Sequence, residues 1–144
     1  MPPRAMKRSL EDNDMMQLFR LLAGITAVLV LVQAVLAGQW IGGDLAIIVT
    51  HGWLGSGTLL LALLMTGLSL AGGRQGWLDG RAVGLSATMV VLVVAQLGLG
   101  YAGRASAVAA SLHIPLGVLI FGLALVLFVS ALPLRLSPAD ARAR

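Results

Sequence analysis

The chain of 144 residues is 58% hydrophobic and 11% charged, with a mean hydropathy of +0.94, a balance outside that of soluble domains. Ten Lys and Arg against six Asp and Glu give a formal charge of +4, but the basic residues sit at the edges of apolar runs, so nucleic acid is not an expected partner. The absence of cysteine excludes disulfides, thiolate metal sites and covalently attached c-type haem.

Residues 1–17 read as a polar tail, with Arg4, Lys7, Arg8, Glu11, Asp12 and Asp14 in a solvated or interfacial lead-in. Four apolar runs follow: Leu18 to Gly38, Leu45 to Ala71, Ala82 to Gly103 and Ala107 to Leu132. Each approaches or exceeds the roughly 20 helical residues that cross a hydrocarbon core. Val35-Leu36-Ala37 resembles a signal-peptide cleavage site, but the long polar lead and the length of the first run favour a retained anchor. Residues 133–144 read as a second polar tail, leaving 18–132 as the membrane domain.

Nine basic residues lie in the two tails, at the start of the first run and in the middle loop (Arg74, Arg81), whereas the other two loops hold only Arg104. The positive-inside rule then places both termini in the cytoplasm of a bacterial-type inner membrane, with QWIGGD and the GRAS turn outside. Short connections predict an all-α, up-down-up-down four-helix bundle, with helices 2 and 4 on one diagonal.

The second half of the chain echoes the first, so the bundle reads as two copies of one helical hairpin. VLVLVQAVLAGQW matches VVLVVAQLGLGYA in character, with Gln33 answering Gln96. His51 and His113, the only two histidines, each open an H-x-x-L-G pattern that ends in Gly55 and Gly117. The Gln-to-His separation is 18 residues in one half and 17 in the other. At a rise of about 1.5 Å per residue, His51 lies about 10 Å in from Asp44 and His113 about 13 Å in from Arg104. Gln33 and Gln96 fall at similar depth, so the four polar side chains share one layer.

The His51 face of helix 2 continues through Gly55, Thr58 and Ala62, and that of helix 4 through Gly117, Ile120 and Ala124. Small residues beneath each histidine either let helices approach closely or leave a slot for a flat ligand. Neutral imidazole is a good iron ligand, and two at one depth on facing helices suit six-coordinate b-type haem, one per chain, with Gly55 and Gly117 as flat walls. Arg104, near Tyr101, is either a partner for the propionates or a snorkelling interfacial residue. A cofactor-free alternative leaves each histidine hydrogen-bonded to a glutamine across helices.

Other chemistry fits less well. The spans hold no carboxylate for a proton path and no third strong zinc ligand at the histidine depth. Ser56, Ser111, Thr50 and Thr58 neighbour the histidines without an acid to complete a triad, and read as hydroxyls bonded back to their own helices. Pro115 is expected to kink helix 4. Trp40, Trp77 and Tyr101 read as interfacial belt residues, while Trp53 faces either a ligand or lipid.

From Leu18 to Leu132 the pattern resembles one half of the haem A synthase family, through His51 and His113 near the outer ends of helices 2 and 4 with glycine four residues after each. That family is built from two such halves, each with a haem-ligating histidine pair. Where the family has glutamate before and arginine after the helix 2 histidine, this chain has Ile48 and Gly52. The resemblance therefore implies a bundle holding one haem, as an electron-transfer or accessory subunit beside other membrane proteins, and not a synthase by itself. The remaining alternatives are a structural subunit without cofactor and a chlorophyll-type pigment binder.

Overall fold

The computed structural model describes residues 3–132; the second polar tail, with Arg135, Arg142 and Arg144, lies outside the described residues. Four α-helices account for nearly all of them: α1 Pro3–Ile41, α2 Ile47–Gln75, α3 Gly80–Ala102 and α4 Ala107–Ser130. All four are long and apolar enough to cross a membrane. The first helix does not begin at Leu18 but runs through the charged lead. There the spacing of Lys7 and Glu11 allows an i,i+4 ion pair at 3.7 Å, a small aid to helix continuation.

Loops of four or five residues join successive helices, and such short links force antiparallel neighbours. Each helix packs on the two beside it, α1 on α2 and α4, α3 on α2 and α4, while the backbones of the diagonal pairs stay apart. The molecule is thus an up-down four-helix bundle. Its connections are capped locally: Asp79 accepts a hydrogen bond from Ala82 N at 2.7 Å to start α3, and Ser106 accepts from Ala109 N at 3.3 Å to start α4.

Buried positions recur at three- and four-residue intervals. On α2 they are Thr58, Ala62, Met65, Ser69 and Gly72; on α3, Ser86, Met89 and Val93; on α4, Ile120, Ala124 and Leu127. This is the spacing of a bundle seam. The outer surface is richer in large apolar side chains than the seam: Trp53 is 75% exposed and Val118 69%, whereas Thr26, Thr58, Ser69 and Ser86 are buried. Such inverted polarity suits a bundle surrounded by lipid tails, where the outside gains nothing by being polar and small inner residues bring helices close. The chain is a multi-pass membrane protein.

Hydroxyls on the inner and outer faces alike are satisfied without water. Thr58 Oγ1 donates to Leu54 O at 3.0 Å, Ser56 Oγ to Gly52 O at 3.2 Å and Ser111 Oγ to Val108 O at 2.8 Å, the back-bonding expected of them. Thr66 Oγ1 also approaches Ser86 O at 2.8 Å, tying α2 to α3. Pro115 lies within α4, which continues on both sides of it.

The turn after α2 depends on two glycines. Gly76 ends the helix at φ 85°, a left-handed conformation that glycine adopts without penalty. The carbonyl of Gly72 accepts the backbone N–H groups of Gly76, Trp77 and Leu78. A Cβ on Gly72 would lie 2.9 Å from three atoms of the Trp77 ring. Gly72→Ala is therefore expected to destabilise the bundle by about 1–3 kcal/mol through overpacking. Gly67→Ala, where a Cβ meets nothing within 4 Å, should be neutral or slightly stabilising. Equilibrium unfolding in mixed micelles of the two variants checks the difference.

Candidate functional site

The four polar residues singled out by depth do converge. His51 on α2 and His113 on α4 face each other across the bundle, with ring centroids 6.1 Å apart and ring planes inclined at 60°. Gln33 and Gln96 reach in from α1 and α3. The predicted faces beneath the histidines are the inner ones: Thr58, Ala62, Ile120 and Ala124 are all buried.

In the second half, Gln96 holds His113 at both ring nitrogens. His113 Nδ1 lies 3.0 Å from the Gln96 backbone carbonyl, and His113 Nε2 lies 3.3 Å from the Gln96 side-chain nitrogen. A carbonyl oxygen only accepts, so Nδ1 carries the proton and donates. In neutral imidazole Nε2 is then the bare acceptor, to which the Gln96 amide donates. The ring can sit there because residue 100 is glycine: a Cβ at Gly100 would come within 3.0 Å of His113 Cε1.

The first half is similar in plan and different in detail. Gln33 Nε2 donates to the backbone carbonyl of His51 at 2.9 Å, and not to its ring. At the position matching Gly100, four residues after the glutamine, stands Ala37. Among the described residues, three buried side-chain polar atoms have no hydrogen-bond partner: Gln33 Oε1, His51 Nδ1 and Gln96 Oε1. All three belong to this one layer. An unpaired buried polar group costs about 1–3 kcal/mol, so the unmet hydrogen-bonding capacity of the described residues is concentrated in this layer.

Gly55 and Gly117 serve the glutamines. A Cβ on Gly117 would lie 3.1 Å from the Gln96 amide nitrogen, and one on Gly55 would lie 3.1 Å from Leu97 and 3.5 Å from the Gln33 amide nitrogen. The room beneath each histidine is therefore occupied by side chains from the neighbouring helix, where flat open walls were expected. The sequence did not single out Leu97 or Gly100. The i+4 glycine after Gln96 was the available signal for Gly100; nothing in the sequence marked Leu97 among the other leucines.

Arg104 is exposed and its guanidinium stacks over Tyr101, 5.0 Å from the ring centroid. Trp53 points outward. Among the described residues no group of three or more His, Cys, Asp or Glu comes together, so the two imidazoles are the strong ligands this layer offers.

No protein-family profile, curated protein or solved structure matches the chain.

The tautomer assignment has a direct check. Nitrogen-15 NMR of histidine-labelled protein should show His113 protonated at Nδ1 and bare at Nε2, and Gly100→Ala should shift both resonances by displacing the ring. A His113 signal protonated at Nε2 would contradict the Gln96 clamp.

Proposed function

We propose that the bundle holds one b-type haem, which His51 and His113 would ligate. The observation that carries this reading is the 6.1 Å separation of the two ring centroids. A separation of that order would allow one metal ion to take a nitrogen from each ring. His113 also has the outer bond that metal-bound histidines typically make, Nδ1–H to a backbone carbonyl, leaving Nε2 as the lone-pair end. The unpartnered His51 Nδ1 supports the same reading from the other side of the bundle.

The residues fit the ligand role, and the side chains that would give way are identifiable. Gln96 and Leu97 cover Gly117 and Gly55, and both side chains would have to move aside for the macrocycle. When bound, the haem supplies one-electron redox chemistry. The chain contributes two neutral imidazoles, a low-dielectric setting and two carboxamides close by.

Almost no mass lies outside the membrane among the described residues, which suits electron transfer or an accessory role within a larger membrane complex. The likeness to one half of the haem A synthase family agrees with a haem-holding bundle. With nine of ten basic residues on the side of the termini, the termini are cytoplasmic in this reading.

A second reading has its own observation. Gln96 already satisfies both nitrogens of His113, as a cofactor-free structural subunit would require. Spectra separate the two. The protein purified in detergent should show a Soret band with sharp bands on reduction, and His51→Ala or His113→Ala should abolish six-coordinate low-spin ligation. Gln33→Ala should keep it. Absence of any Soret band in protein expressed with ample haem favours the structural reading.

A further inference from the structure

The same bundle has a second polar feature at its opposite end, independent of the histidines. A cavity of about 400 Å³ opens where the termini lie, between α1, the α2–α3 turn, the start of α3 and the end of α4. Arg20 and Arg81 line it together with Asp79 and the apolar side chains of Phe19, Leu85 and Leu127.

Charge in this wall is unbalanced. Arg20 is half-buried, and its Nε donates to the carbonyl of Ala131 at the end of α4. One of the guanidinium's five N–H donors is thereby engaged. Arg81 is exposed and makes no hydrogen bond to another described residue. Asp79 stands in the same wall, but its Oδ1 caps α3, and the ion pair Lys7–Glu11 is the only one among the described residues. Two guanidinium groups therefore face a partly enclosed space beside one carboxylate that pairs with neither.

We propose that this cavity binds the phosphate of an anionic phospholipid. Planar guanidinium groups present paired donors that match phosphate oxygens. Basic pockets between membrane helices at the polar edge are suited to lipid headgroups. The apolar part of the wall also includes Met16 and Leu132, which with Leu85 reach the outer surface of the bundle and accommodate the glycerol and upper acyl chain. A free inorganic anion would leave that part of the cavity bare, so the occupant is the lipid.

The test uses the full chain in nanodiscs of equal dioleoylphosphatidylglycerol and dioleoylphosphatidylcholine, extracted gently and read by native mass spectrometry. The wild type should retain the phosphatidylglycerol preferentially. Arg81→Gln, an exposed position that leaves the Arg20–Ala131 tie intact, should lower that preference about fivefold. Arg74→Gln, on the same side but outside the cavity, should leave it unchanged. Equal retention of both lipids by the wild type, or an equal loss in the two variants, would overturn the site. Displacement of the lipid by equimolar inorganic phosphate would identify a free anion and overturn the lipid assignment.

Discussion

In a hydrocarbon environment a polar side chain finds no water, so it must find a partner inside the protein or bind something brought to it. That constraint organises this bundle. Thr58, Ser56 and Ser111 meet it within their own helices, and Thr66 meets it partly across the α2–α3 seam. The layer of Gln33, His51, Gln96 and His113 meets it only in part. Its three unpartnered atoms set it apart from the polar groups below it.

The rest of the packing is arranged around that layer. Gly55, Gly100 and Gly117 lack side chains where Leu97, the His113 ring and the two carboxamides need room. Lower in the bundle, Met65, Met89, Ile120 and Leu127 fill the interior among alanines and hydroxyl residues, bringing helices close. At the far end Arg20 ties the middle of α1 to the end of α4, closing the ring of helices where the chain returns to its starting side.

Much of this was legible in the sequence because the informative residues are rare. Four apolar runs with short links leave little choice but an up-down bundle, and histidine and glutamine are costly enough in lipid that their depth points to a shared layer. Periodicity correctly placed Thr58, Ala62, Ile120 and Ala124 on the inner faces. It could not say which rotamer Gln96 adopts, so the glycines read as open walls when they make room for the glutamines. Nor could spacing distinguish Gly100 from the many other small residues, or show that Arg20 bonds Ala131. Those depend on the rotation of one helix against the next. The charged lead looked like a tail because it is polar, yet polarity does not prevent helix formation when residues such as Lys7 and Glu11 sit at i,i+4.

The two hairpins share a plan, but a one-residue difference in Gln-to-His spacing and the exchange of Ala37 for Gly100 make the histidines unequal. His113 is fixed through its ring, and His51 only through its backbone. In our proposal both rings ligate a single iron. The most direct measurement is the haem content of the purified chain by the pyridine haemochrome assay. One b-type haem per chain is expected, lost when His51 and His113 are both replaced by alanine. A haem content of zero in haem-replete membranes, or one that survives the double replacement, would contradict it.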